Sequence, residues 1–178
     1  MDRIDDNILA RRCLEGDKKA FEEIVDRYQK TVFNTAFRIL NDYEDAADVS
    51  QSAFIRVYEN LEKFSARYQF FSWLYKITVN ESLNFLKQRK EIGGIAAEEV
   101  ADAKTPEDLY KDVELSESIQ QALMQIGLDY RLVIVLRYFQ DLSYNEISYV
   151  LDTPEKTVKS RLFTARNLLK NIMSEEII

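Results

Sequence analysis

The sequence predicts an all-α fold of two small helical domains joined by a flexible acidic linker. Its 178 residues include only 4 glycines and 2 prolines, too few for the turns of a β-protein. Apolar residues recur at steps of three and four through both ends of the chain, the spacing of a buried helical stripe. The net charge of −7 is confined to one internal stretch. Residues 1–90 hold 15 basic and 15 acidic residues, residues 119–178 hold 7 and 7, and residues 91–118 hold 2 basic against 9 acidic. That stretch also carries Gly93-Gly94 and Thr105-Pro106. Helix breakers combined with self-repelling charge mark a linker, placed at 92–111, between domains 1–91 and 112–178.

The elements follow in order. Ile4, Ile8 and Leu9 form a short first stripe, and Gly16 can end that helix. Asp17 is a plausible N-cap for a second helix carrying Phe21, Ile24, Val25 and Tyr28, then Val32, Phe33, Ala36, Phe37 and Leu40. Asn41-Asp42 reads as a turn. Ala46, Val49, Ala53, Phe54, Val57 and Leu61 make a third stripe; after a loop near 64–70, Trp73, Leu74, Ile77, Leu83 and Leu86 make a fourth. Four helices in this space form a compact bundle. In the second block, 113–126 and 132–139 read as helices.

The sharpest local signal lies further on. Ser143-Tyr144-Asn145-Glu146 fits a capping box, and the helix it opens has Ile147, Val150 and Leu151 on its apolar face. Asp152 stands at a turn position where glycine is usual, and aspartate tolerates positive φ better than most residues. Thr153 can cap a last helix with Pro154 at its first position. That helix would bury Val158, Leu162, Ala165 and Leu169 while Lys156, Lys159, Ser160, Arg161 and Arg166 face outward. A short turn followed by a basic second helix is how a recognition helix is offered to the DNA major groove. A helical hairpin with a solvated basic face has the same pattern.

Composition narrows the function classes. Cys13 is alone and histidine is absent, which excludes Cys/His zinc sites, His-ligated haem and any Ser-His-Asp or Cys-His catalytic group. Asp45 and Asp48 share a helix face without a metal-binding partner motif, so solvated acids account for them better than an active site does. No metal or cofactor is expected. No stretch approaches the ~20 apolar residues of a membrane span, and the start MDRIDDNILARR lacks a signal core; no membrane insertion and a cytoplasmic location are expected. Seven aromatics crowd residues 58–75: Tyr58, Phe64, Tyr68, Phe70, Phe71, Trp73 and Tyr75. Core packing suits Phe71 and Trp73. Phe64, Tyr68 and Phe70 fall in the expected loop, where, with Lys63, Arg67 and Lys76 interleaved, they suit stacking on unpaired bases.

Asp45-Ala46-Ala47-Asp48-Val49-Ser50-Gln51, then Ala53-Phe54, then Phe71-Ser72-Trp73-Leu74-Tyr75-Lys76-Ile77 closely resembles conserved region 2 of bacterial extracytoplasmic-function (ECF, group 4) sigma factors of the sigma-70 family. Leu142-Ser143-Tyr144-Asn145-Glu146-Ile147 with Lys159-Ser160-Arg161 resembles their region 4, and Arg131 to Tyr138 fits its start. The likeness covers about 8–90 and 113–170, in the family's order and without region 3. It implies a promoter-specificity subunit of RNA polymerase. Asp45, Asp48 and Gln51 would dock on the β′ clamp helices of core polymerase, and the C-terminal domain on the β flap. Lys63, Phe64, Arg67, Tyr68, Phe70, Lys76 and Asn80 would hold the −10 element. Lys156, Thr157, Lys159, Ser160, Arg161, Thr164 and Arg166 would read the −35 element of promoter DNA. An anti-sigma factor is the further partner that the resemblance suggests. Three positions depart from the family pattern: Ser65-Ala66-Arg67-Tyr68 replaces an Arg-Gly-Asp-like turn, Thr164 stands where a basic residue is frequent, and Gly127-Leu128 replaces a Leu-Pro-like junction.

The alternative reading is a helix-turn-helix regulator behind an N-terminal sensing or dimerisation domain; such a domain has no need of both the acidic segment 45–51 and the aromatic loop. The net charge should repel phosphate, and the tether lets the domains close on each other, so the chain by itself should bind DNA poorly. The resemblance further implies that segment 92–111 threads a basic channel of the polymerase. Replacing Glu98, Glu99, Asp102, Glu107 and Asp108 with Ser or Gln should then lower core affinity and alter abortive-product yield. The difference should shrink as salt shortens the Debye length below about 8 to 10 Å. Wild-type behaviour at every salt concentration would make the segment a tether only.

Overall fold

The computed structural model describes residues 5–65, 67–93 and 113–175, so most of the expected linker lies outside the described residues. The first block contains α1 (Asp6–Leu14), α2 (Lys18–Leu40), α3 (Tyr43–Glu59) and α4 (Phe70–Gly93), with a single 3-10 turn at Leu61–Lys63. The second contains α5 (Val113–Gln125), α6 (Leu128–Ile134), α7 (Tyr144–Leu151) and α8 (Glu155–Glu175). Residues Val135–Phe139 prolong α6 as a π-helical turn. The fold is all-α, and the described residues include no strand.

Local chemistry sets the boundaries. The Asp17 carboxylate accepts the Lys19 and Ala20 N–H groups at 3.0 and 3.3 Å, and Gly16 takes φ +92°, as the junction requires. Asn41 closes α2 in the left-handed region at φ 57°, and Asp42 caps α3 by accepting from Asp45 N at 2.9 Å. The capping box at Ser143 and Glu146 forms in full. Asp152 has φ 47°, the left-handed conformation expected at the helix-turn-helix turn.

Several expectations are corrected. Ile8 is 52% exposed; the buried face of α1 is Leu9-Ala10, and Asp6, which accepts from Arg27 and Tyr28, pins this helix to α2. α6 begins four residues before the expected Leu132, because Gly127 provides the N-cap and its carbonyl accepts from Tyr130 N and Arg131 N at 2.9 and 3.0 Å. Thr153 does not cap α8. Its hydroxyl donates backward to the Leu151 carbonyl at 3.0 Å, and the Pro154 carbonyl receives the first helical bond, from Val158 N at 3.1 Å.

The two blocks share a core. Ala36, Ile39, Leu40, Ala46, Val49, Tyr75 and Val79 of the first are continuous with Leu123, Leu132 to Leu136, Ile147 and Val158 of the second. A separate cluster inside the first block joins Ile24, Val32, Val57, Phe70 and Leu74. Thr78 and Ser82, both fully buried on α4, donate to the carbonyls four residues back and need no other partner.

Arg131 sits at the seam. Nε donates to Leu123 O at 2.9 Å, Nη2 to Met124 O and Ile126 O at 3.3 and 3.4 Å, and Nη1 crosses to Ile39 O at 2.8 Å. One guanidinium therefore satisfies carbonyls at the C-terminal ends of both α5 and α2, where a positive charge also suits the helix dipoles. Burial lowers its pKa from the usual arginine value. Gln120 adds donors to the Phe37 and Arg38 carbonyls, and the Arg38 guanidinium lies 3.6 Å over the Phe139 ring. Arg131→Met keeps much of the side-chain volume but strands these carbonyls. It should cost roughly 2 to 4 kcal/mol, read as a fall in Tm of about 4 to 15 °C.

Candidate polymerase and nucleic-acid interfaces

The α3 surface presents Asp45, Asp48 and Gln51 together. Asp48 and Gln51 are exposed, whereas Asp45 is half-buried and accepts from Arg89 Nη1 of α4 at 2.9 Å. Burial, with Asp42 beside it, holds the Asp45 carboxyl above the usual aspartate range, against the pull of Arg89. Asp45 is thus tied into its own domain while Asp48 and Gln51 face outward. Sequence reasoning missed Ile55 and Tyr58, 58% and 57% exposed. Positions 48, 51, 55 and 58 advance by three, four and three residues, one continuous stripe on a helix. The signal was legible: α3 has more apolar residues than one core-facing stripe accommodates.

The aromatic segment divides differently from the expectation. Phe70 is the first residue of α4 and 1% exposed, not a loop residue. It meets Phe64 edge-to-face at 5.4 Å between centroids and Trp73 at 5.8 Å, and Phe64 meets Trp73 at 5.3 Å. The expectation that Phe70 lies in the loop and is available to stack on bases is corrected, because it is buried in the core; Phe64 is half-buried, with its ring against Phe70 and Trp73. Tyr68 is half-buried in the loop, and Arg67 is exposed beside it. The Tyr68 ring lies flat on Tyr149 of α7, 3.7 Å between centroids with 14° between planes. Lys76 donates to Tyr149 O at 3.1 Å and pairs with Asp152 at 2.5 Å, while Ser72 donates to Glu146 at 3.3 Å. Beside this contact, Lys63, Trp73, Lys76, Asn80 and Tyr149 line an open groove of about 300 Å³. Lys63 also donates to Asn60 Oδ1 at 2.7 Å.

α8 buries Val158, Leu162 and Ala165 and leaves Lys156, Lys159, Ser160 and Arg166 exposed. Thr157 and Thr164 are half-buried at the edges. Lys159 pairs with Glu155 at 2.8 Å, one turn earlier, and this hydrogen bond raises its pKa. Arg161 turns to the flank and pairs with Asp129 of α6 at 2.7 Å, so it frames the face rather than centring it. Phe163 was missed. It is 63% exposed between Lys159 and Arg166, four and three residues away on the same face, where an aromatic ring can meet a thymine methyl group.

A four-helix bundle with an exposed acidic-aromatic stripe, continued into a helix-turn-helix with an open basic helix, defines a class: transcription proteins built for a large protein partner and for DNA. Comparison with known proteins makes the class specific. Residues 24–92 match the family model of sigma-70 region 2, and residues 116–169 that of sigma-70 region 4. The ECF RNA polymerase sigma factor SigW of Bacillus subtilis is 36% identical, covering 90% of this chain and 92% of its own. The ECF RNA polymerase sigma-E factor of Escherichia coli K12 is 34% identical, with 96% and 95% covered. Among solved structures, CnrH in complex with the cytosolic domain of CnrY superposes with a TM-score of 0.75 at 24% identity, covering 96% of this chain and 97% of that one. RpoE of Bartonella quintana, in complex with the anti-sigma factor NepR, also gives 0.75, at 21% identity, covering 88% and 98%. The chain belongs to the ECF sigma factors of the sigma-70 family and functions as an RNA polymerase sigma factor. The helix-turn-helix regulator with a sensing domain is thereby set aside, because the N-terminal block is itself region 2.

The burial pattern separates structural from surface aromatics. Phe70→Ala should cost about 3 to 5 kcal/mol, whereas Phe163→Ala should stay within about 0.5 kcal/mol of wild type. Urea unfolding midpoints check both values, and equal losses would overturn the division.

Proposed function

We propose that the first domain, 1–91, docks on core RNA polymerase through Asp48, Gln51, Ile55 and Tyr58 and holds the separated −10 strand with Lys63, Arg67, Tyr68, Lys76 and Asn80. The second domain, 112–178, reads duplex −35 DNA through Lys156, Lys159, Ser160, Phe163 and Arg166, with Thr157, Arg161 and Thr164 at the margins. Asp45 supports the docking face through Arg89. The acidic segment 92–111 joins the domains along a basic channel of the polymerase. The reading requires no catalytic group and no cofactor, and it places the protein in the cytoplasm, where polymerase and promoter are. Among the described residues, no helix is long and apolar enough to cross a membrane. A partner of the NepR kind, an anti-sigma factor, is proposed here too.

The observation that carries this reading is the pair of outward faces on α3 and α8. Each combines charge with exposed aromatic surface; Tyr58 stays more than half exposed although its ring also meets Phe21 edge-to-face at 5.0 Å. Interfaces are depleted of charge at their centres and enriched in aromatic residues, and α3 offers that combination around Ile55 and Tyr58. Asp48→Lys should weaken core-polymerase binding by about tenfold or more through lost charge complementarity. Lys159→Ala should leave that binding unchanged and weaken transcription from promoters dependent on their −35 element. An unchanged core-binding curve for Asp48→Lys would move the docking surface elsewhere, and normal −35 dependence in Lys159→Ala would remove α8 as the reader.

A further inference from the structure

The groups of the first domain that would hold a single strand are not presented to solvent alike. Tyr68, the half-buried aromatic ring of the loop, is covered face-on by Tyr149 at the distance at which a nucleobase would stack. Lys76, the cation beside it, spends its ammonium on the Tyr149 carbonyl and the Asp152 carboxylate, and the ammonium also lies 4.6 Å from the centre of the Tyr149 ring. Ser72 is fully buried against Glu146, which the capping box of α7 already holds in place. Each of these partners comes from α7 or the turn that ends it. Tyr149 packs against both apolar clusters, so its position is determined from two sides. By contrast, Asp48 and Gln51 on α3 and the basic face of α8 remain exposed in the same conformation.

We propose that α7 is an internal latch on the −10-reading loop, with Tyr149 in the place of a stacked base and Asp152 in the place of a phosphate. The inference rests on the assignment of Tyr68 and Lys76 to strand binding made above. It also accounts for a sequence anomaly. Glycine at position 152 would satisfy the left-handed turn at less conformational cost, but it would leave Lys76 without its carboxylate. The latch covers the strand-holding groups Tyr68 and Lys76 while leaving the α3 face and the basic face of α8 exposed. The strand affinity of the closed chain is the intrinsic affinity scaled by the open fraction, so weakening the latch raises it without a new DNA contact. Docking on polymerase would complete the opening.

The test uses the full-length chain without polymerase and two fluorescent probes, a single-stranded −10 oligonucleotide and a −35 duplex. Asp152→Gly retains the positive φ and removes the carboxylate; Tyr149→Ser removes the ring. Single-strand affinity should rise about threefold in Asp152→Gly and about tenfold or more in the double variant, magnitudes set by one ion pair and one aromatic contact. Duplex affinity should stay at the wild-type value, and Tyr149→Phe, which keeps the stack, should match wild type on both probes. Adding Tyr68→Ala to the double variant should abolish the gain. A double variant that binds the single strand no better than wild type, with duplex binding intact, overturns the latch. If the gain appears but survives Tyr68→Ala, the assignment of Tyr68 fails instead, and the latch in this form fails with it. Open-complex formation by the holoenzyme separates the two cases independently: Tyr68→Ala should impair it whether or not the latch exists.

Discussion

The arrangement of both domains depends on how one buried arginine is satisfied. The Arg131 guanidinium donates to carbonyls at the ends of α5 and α2, and among the described residues no carboxylate forms an ion pair with it. A carboxylate would have tied it to one point, whereas carbonyls let a single planar group with five donors reach two helices at once. The shared apolar cluster around Ile39, Leu132 and Leu136 removes water from these bonds, which strengthens each of them and raises the penalty for leaving any unmade. The seam is therefore ordered by polar groups and stabilised mainly by apolar area. That combination specifies how the halves meet more narrowly than an apolar patch would.

Aromatic residues show how burial assigns different work to the same chemistry. Phe64, Phe70 and Trp73 pack on one another at the base of the loop that carries Tyr68. Tyr68 is a contact surface, occupied here by Tyr149. Tyr58 and Phe163 stand outward on helices whose opposite faces already supply the core. A basic neighbour accompanies two of these rings: Arg67 beside Tyr68, and Lys159 and Arg166 beside Phe163. The structure thus separates exposed rings from packing material by their distance from the core, not by their density along the chain.

Electrostatics is equally local. A chain with a net charge of −7 presents a basic helix to solvent because its excess acid is collected at 91–118. Within the folded parts, acids act as partners for individual cations: Asp129 for Arg161, Glu155 for Lys159 and Asp152 for Lys76. These pairs set side-chain direction more than stability, since exposed ion pairs contribute little.

Much of this was legible in the sequence because it depends on local rules. Helix periodicity, the Asp17 and Asp42 boundaries, the capping box at Ser143 and the positive φ at Asp152 involve residues within about one helical turn of each other. The face of α8 followed from the spacing of Val158, Leu162 and Ala165. The class of protein followed from two motifs in order, each carried by consecutive residues. Where a residue's role depended on what lay across from it, the sequence did not decide. Phe70 and Tyr68 are two positions apart and equally aromatic, yet one begins a helix and enters the core while the other meets a residue more than eighty positions away. Ile8 and Leu9 are adjacent and both apolar, but a helix turns them about 100° apart and only one can face α2. Arg131 gave no sign of bridging two helix ends, because a backbone carbonyl carries no residue identity. The sequence by itself determined the helices, their capped ends and the family. Only the tertiary structure decided which surface residues are available and which are covered, because availability depends on contacts between segments that no local pattern encodes.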